Sequence, residues 1–386
     1  EIASCLVGSE MCIRDRLDNI HARYQEIIDG LNLDFSLDLD FVQIKENFSN
    51  KAGADYAASR GECLNGKIMA AYLGFEFVDA AEVVRFNDDG SFNDEVTNTL
   101  LSERLQDCKT AVIPGFYGAK KDGTIVTFSR GGSDITGSLV ALAVQADLYE
   151  NWTDVSGFLI ADPRIVKNPK SIETITYKEL RELSYMGASV LHEDAIFPVR
   201  KAGIPINIRN TNAPQDKGTL IVEGTCRQPK YTITGIAGTD GFVAITVEKA
   251  MMNSEVGFCR KVLQVFEDNG VSIEHMPSGI DTMSIFVNKD VFEEKEQKIL
   301  ADIHKAVNPD HIELESNLAL IAVVGRGMKS TRGTAGRIFS ALAHAHINVK
   351  MIDQGSSELN IIIGVRHDDF KNAIRALYEI FVLTQI

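Results

Sequence analysis

The chain has 386 residues, 45% of them apolar and 24% charged, an ordinary globular composition long enough for two or three domains. Its formal net charge of −15 argues against nucleic acid as a partner, because a phosphate backbone needs a basic face. With no basic run and no unbroken apolar span of membrane length, the chain is expected to work in the cytoplasm and away from membranes.

In chain order, residues 1–16, "EIASCLVGSEMCIRDR", come first. They carry two of the six cysteines, do not begin with Met and lack the layout of a signal peptide. They are expected to be a non-native prefix joined to a truncated coding sequence. From Leu17, "LDNIHARYQEIIDGL" places Ile20, Tyr24, Ile27 and Ile28 on one side of a helix. Residues 59–74 show the same spacing through Leu64, Ile68 and Ala71, with Glu62 near the helix start. "TAVIPGF" (110–116) predicts a buried strand entering a loop, and 123–132 a strand that stops at Gly131-Gly132. A helix follows, with Ser133 or Asp134 placed as its N-cap. A strand ending at Thr153-Asp154, a helix over 176–191, a strand over 204–210 and a loop over 211–219 come next. This alternation predicts an α/β fold with a largely parallel sheet. The polar stretch 223–231 marks the expected domain boundary.

Beyond it the chain repeats itself. Residues 257–287 and 333–363 align at a constant offset of 76, pairing Gly257 with Gly333, Ile273 with Val349, Gly279 with Gly355 and Ile285 with Ile361. Each copy is preceded by an apolar strand and followed by a helix, so two βαββαβ modules are predicted. Tandem modules of this kind point to ligand sensing or dimerisation; a duplicated structural domain is the plainer alternative.

Three stretches carry chemistry. In "RGGSD" (130–134), glycines admit close backbone approach and the N–H groups of the following helix start attract anions. Arg130 offers a fork for a carboxylate or phosphate, and Asp134 a carboxylate that orients a lysine or a metal-bound phosphate. Thr153 and Asp154 lie at the carboxyl end of a strand, where open α/β sheets bind ligands, and Asp162-Pro163-Arg164 adds a fixed turn with a cation. Glu62 is the third candidate; a solvated acid complementing a helix dipole is the alternative there. Neither the cysteines nor the eight histidines show metal-ligand spacing, so no protein metal site is expected.

Together "GECLNGKIMAAYL", "IPGFYGAKKDGTIVTFSRGGSDITGSLVA", "ADLYENWTDVSGFLIADPRIV", "ELSYMGASVLHEDAIFPVRKAGIPINIRNTNAP" and "QGSSELNI" resemble the aspartate kinases of the amino-acid kinase family, closest to the monofunctional Gram-positive type. The resemblance implies a three-layer αβα kinase domain over 17–225, followed by two ferredoxin-like ACT domains at 232–308 and 314–386, paired in a homodimer. It implies ATP and Mg²⁺ as cofactors and L-aspartate as substrate. Glu62 would take the ammonium of aspartate, and Arg130 with Gly131, Gly132 and Ser133 its carboxylates. Asp134 would organise the transferring phosphoryl group. Thr153, Asp154, Leu159, Arg164 and Ser189 would line the nucleotide. In the first ACT module Met252, Gly257, Phe258, Ser272, Ile273 and Glu274 would bind an amino-acid effector, lysine before threonine. Glu274 would pair with the effector's ammonium across a strand at 271–279.

The sequence departs from the family in three places. It contains no Lys-Phe-Gly-Gly-Thr/Ser phosphate loop, Leu159 replaces a frequent aromatic residue, and Ser189 a frequent lysine. The chain as written is therefore expected to be inactive and its intact parent a kinase. A kinase for glutamate-type substrates and a non-catalytic regulatory subunit are the alternative functions.

Overall fold

The computed structural model describes residues 10–188, 196–225 and 230–384. It begins with α1 (Glu10–Gly30), α2 (Asp38–Ser49), α3 (Ala54–Leu73), β1 (Glu76–Phe77), α4 (Ala80–Val83) and α5 (Asp94–Leu105). Next come β2 (Ala111–Val112), β3 (Tyr117–Ala119), β4 (Ile125–Thr127), α6 (Gly132–Ala143) and β5 (Tyr149–Thr153). Then follow β6 (Thr174–Thr176), α7 (Tyr177–Tyr185), α8 (Phe197–Ala202), β7 (Ile206–Asn210) and β8 (Thr219–Val222). The remainder holds β9 (Gly235–Glu248), α9 (Phe258–Asp268), β10 (Thr282–Asn288), α10 (Lys289–Glu293), α11 (Glu296–Val307) and β11 (His311–Val324). It closes with α12 (Thr334–His344), β12 (Met351–Asp353), β13 (Asn360–Arg366) and α13 (Phe370–Tyr378). Among the described residues no helix is long and apolar enough to cross a membrane.

Two compact units emerge, Glu1–Asn151 with Leu191–Asn207, and Trp152–Val190 with Ile208–Ile386. The division passes through β5 and β7; the expected boundary at 223–231 lies partly outside the described residues. The reason is the bonding of the stretch after β5. Ile236 N–H donates to the Ile160 carbonyl at 2.7 Å, Lys170 N–H to the Tyr378 hydroxyl at 2.9 Å, and Arg375 Nε to the Ile165 carbonyl at 3.0 Å.

In the first unit, α1, α2 and α3 share a core of Leu17, Ile28, Leu37, Phe41, Ile44, Tyr56, Leu64 and Ile68. Cys63, one position round α3, faces a second core with Val78, Val84, Leu101, Tyr117 and Leu139. One helix therefore stitches two clusters. β1 and β2 pair in parallel, and β3 and β4 form an antiparallel hairpin. The strand expected at 110–116 shrinks to Ala111–Val112. Pro114 has no N–H to give a ladder, and the next residues turn towards α6. A further sheet runs in the order β5-β7-β8-β6, and its parallel pair β6 and β8 lies in the second unit.

In the second unit β9 and β11 are each 14 residues long and pair antiparallel along nearly their whole length. The sheet order is β10-β9-β11-β13-β12. The ladder breaks between Glu315 and Leu318, where Asn317 adopts φ 59°. On one side, 311–315 pair with 244–248 beside β10; on the other, 319–324 pair with 235–240 beside β13. The second module thus takes its outer strand from the chain ahead of the first, and the two interlock through one ladder.

The predicted repeat survives with one correction. α9 and α12 start 76 residues apart, each behind a left-handed glycine, Gly257 at φ 83° and Gly333 at φ 82°. In the last strand, however, Val247 pairs with Met283 while its counterpart Val323 pairs with Ile361, 78 residues on. The second copy holds two extra residues in its turn. An even insertion preserves the alternation of faces, which is why apolar residues still matched at 76.

Candidate active site

The acceptor-side candidates lie in the first unit. α6 begins at Gly132, with Gly131 as its N-cap in the left-handed region (φ 57°, ψ 25°). Neither Ser133 nor Asp134 caps it, contrary to the sequence expectation; both lie inside the first turn, and no side chain caps that turn. The first N–H groups are left to a ligand, and an anion is what the partial positive charge there favours.

Close packing accounts for the second glycine. A Cβ at Gly132 would lie 2.6 Å from Phe116 Cβ, 2.8 Å from Phe116 Cα and 2.9 Å from Phe128 Cβ. Phe116 is held at φ 62°, a costly conformation for an aromatic residue, and its N–H donates to Thr136 Oγ1 at 3.1 Å. Thr136 Oγ1 in turn donates to the Gly132 carbonyl at 2.9 Å. The Pro-Gly-Phe loop and the helix start therefore fix one another. Gly132→Ala should cost about 1–3 kcal/mol of stability through overpacking and weaken ligand binding at this helix start. Urea unfolding with calorimetric titration of L-aspartate checks this; an unchanged midpoint with an unchanged Kd would refute it.

Arg130 is exposed just outside the helix, and Asp134 is half-buried. Asn151 Nδ2 donates to Asp134 Oδ1 at 2.8 Å and also approaches the Tyr149 hydroxyl at 3.2 Å. Burial pushes the Tyr149 hydroxyl above its ordinary pKa, with the Asp134 carboxylate adding to the effect, so it stays a neutral donor. Sequence reasoning missed Asn151. The signal was available, since period-two alternation puts Tyr149, Asn151 and Thr153 on one face of β5.

Glu62 sits in the third turn of α3, not at its start, because the helix begins at Ala54. The dipole explanation for this acid therefore falls away. Glu62 is exposed, while the neighbouring Tyr24 hydroxyl donates to the Gly61 carbonyl at 3.2 Å. That hydroxyl is pushed up by burial and then by the Glu62 charge.

The nucleotide-side candidates Thr153, Asp154, Leu159 and Arg164 belong to the second unit; Ser189 lies outside the described residues. Thr153 Oγ1 donates to Asp154 Oδ1 at 3.2 Å, and the Thr153 carbonyl accepts from Thr211 N–H at 2.8 Å. Ser156 Oγ donates to Asp216 Oδ2 at 2.6 Å and accepts from Asn210 Nδ2 at 2.9 Å, tying this loop to the ends of β7 and β8. Leu159 is partly exposed beside Ser171. Arg164 is gripped through two nitrogens by Asp162, with Nη2 2.6 Å from Oδ2. That bond holds the Asp162 carboxyl below its usual range. Here the Arg164 charge is already matched, where the sequence expectation aimed it at phosphates.

In the first ACT-like module Met252 and Phe258 are buried core residues, with Ile273 packed against the same cluster. Ser272 is exposed and Glu274 half-buried. The strand expected at 271–279 is reduced to isolated bridges, His275 with Phe286 and Ser278 with Met283. Glu274 accepts a hydrogen bond from the Tyr185 hydroxyl at the end of α7.

The amino acid kinase family model matches residues 16–210, and an ACT domain model matches 321–381. Aspartokinase 3 of Bacillus subtilis (strain 168) is 41% identical over 337 residues, covering 85% of this chain and 74% of that protein. This chain belongs to the aspartate kinases of the amino acid kinase family. The crystal structure of Clostridium acetobutylicum aspartate kinase superposes with a TM-score of 0.87 at 52% identity, over 99% of this chain and 89% of that one. E. coli aspartokinase III, in complex with aspartate and ADP, shares the fold at 23% identity, with a TM-score of 0.67 over 99% of this chain and 91% of its own. The kinase fold and the ACT modules expected from the sequence are thus those of the family.

Proposed function

We propose that this chain supplies the aspartate-binding side of the aspartate kinase reaction, transfer of the γ-phosphoryl group of ATP to the side-chain carboxylate of L-aspartate, giving 4-phospho-L-aspartate and ADP. The observation that carries the reading is the start of α6. An arginine stands just outside an uncapped helix N-terminus, and an aspartate held by Asn151 stands in its first turn.

Each residue then has a task. Glu62 takes the α-ammonium of aspartate, while Arg130 and the N–H groups after Gly131 take its carboxylates. The β-carboxylate is already ionised at neutral pH and needs no general base. Its oxygen attacks the γ-phosphorus as the bond to the β–γ bridging oxygen breaks and ADP leaves. Positioning and charge neutralisation carry the rate. Among the described residues no three His, Cys, Asp or Glu side chains converge. A Mg²⁺ ion would arrive with the nucleotide, and Asp134 would be the protein carboxylate that holds it. When bound, Mg²⁺ neutralises phosphate charge. Thr153, Asp154, Leu159 and Arg164 serve the nucleotide, and Arg164 must exchange Asp162 for phosphate to do so. The protein works in the cytoplasm and pairs as a homodimer through its ACT modules. Met251, Val256 and Ile280, all exposed and apolar beside the first module's core, support the pairing. An amino-acid effector, lysine before threonine, binds that module at Glu274. The E. coli relative is also known in complex with lysine and aspartate.

Calorimetric titration of this chain with L-aspartate and L-glutamate tests the acceptor assignment. L-aspartate should bind at least about tenfold more tightly, because a longer side chain cannot satisfy Glu62 and Arg130 together. Equal affinities would sink the reading.

A further inference from the structure

Three side chains spaced three residues apart on α7, hence on one side of that helix, reach into the ACT portion of the second unit. Glu179 accepts from Thr234 Oγ1 at 2.5 Å, and from Arg326 N–H at 2.9 Å and its Nη1 at 2.8 Å. Glu182 accepts from Asn360 Nδ2 at 2.5 Å. Tyr185 donates to Glu274. Between them Leu183 is buried against Gly235, where a Cβ would come within 2.7 Å of Leu183 Cδ1. At its other end α7 is continuous with β6, and Thr176 caps it.

The anchors differ in accessibility. Glu179 is fully buried, whereas Tyr185 is 64% exposed and rests on one hydrogen bond. The bond to Glu274 raises the Tyr185 hydroxyl to about 12, so it remains a donor throughout the physiological range. Its acceptor is the carboxylate assigned to the effector's ammonium. A carboxylate bonded to a neutral hydroxyl gains more from a full positive charge.

We propose that Tyr185 is a residue of the effector site: it occupies Glu274 until the ammonium of an amino-acid effector displaces it, and its release frees the last turn of α7. This rests on the reading of Glu274 as the effector's ammonium acceptor. Effector binding thereby loosens a helix that leads directly from β6, with Glu179 and Glu182 still holding its first turns. The state that binds effector is the one with Tyr185 swung away, so removing the hydroxyl removes a competitor.

The test titrates L-lysine and L-threonine into the wild-type chain, Tyr185→Phe and Glu274→Gln, and follows amide hydrogen exchange over 177–188. Tyr185→Phe should bind the effector about five- to tenfold more tightly, given the usual strength of a hydrogen bond to a charged group. Its last α7 turn should exchange fast with or without effector, whereas in the wild type effector should accelerate that exchange. A Tyr185→Phe affinity within twofold of wild type, with α7 exchange unmoved by effector and Glu274→Gln binding lost, overturns the role of Tyr185 alone. Wild-type binding by Glu274→Gln, or no binding of either amino acid to wild type, overturns the Glu274 reading and this proposal with it.

Discussion

Glu179→Ala should destabilise the second unit by about 3–5 kcal/mol, the usual cost of removing one partner of a buried ion pair. Glu179 has no solvent exposure, and it holds Thr176, Thr234 and Arg326 together. Its loss leaves the Arg326 guanidinium, whose side chain is only 19% exposed, with an uncompensated charge. The pH dependence gives a second signature. Burial alone would raise the Glu179 carboxyl, but hydrogen bonds from Thr234, Arg326 and Thr176 outweigh it and hold the group below the ordinary glutamate range. A carboxyl with a lower folded than unfolded pKa contributes its stability in full above the unfolded value. It loses that contribution as pH falls through the folded one. The gap between wild type and Glu179→Ala should therefore be constant above about pH 4.3 and shrink below it. Urea unfolding of both proteins across this range checks the claim, and a gap that persists unchanged into acid would contradict it.

Arg130→Ala should weaken L-aspartate binding about 10- to 100-fold, the range expected when a charge-assisted pair is lost. Stability should stay within about 0.5 kcal/mol of wild type, since Arg130 is exposed. Arg130→Lys should recover only part of the affinity, because an ammonium lacks the planar fork that grips a carboxylate. Succinate, which keeps both carboxylates and lacks the ammonium, separates the two ends of the acceptor. Arg130→Ala should penalise aspartate and succinate alike, while Glu62→Gln should penalise aspartate only. Calorimetry with the two ligands measures both, and a Glu62→Gln variant that loses succinate as readily as aspartate would put Glu62 elsewhere in the site.

By itself the sequence determined what local pattern and ligand chemistry encode. The α3 and α6 helices, the glycine pair at 131–132, the duplicated module and the family all follow from spacing and residue type. Those features are short-range, since helical periodicity, left-handed glycines and arginine forks act within a few residues. Only the tertiary structure decided the rest. It moved the cap of α6 from Ser133 or Asp134 to Gly131, because Phe116 and Phe128 leave no room for a Cβ at 132 and set where the helix can begin. Tertiary pairing joined Asn151 to Asp134 across 17 positions and Tyr185 to Glu274 across 89. It also gave the second module a strand from residues 235–240, through a β9–β11 ladder that no composition shift announces. Such contacts depend on which buried polar groups find partners once the chain is folded, a condition set by packing between segments distant in sequence.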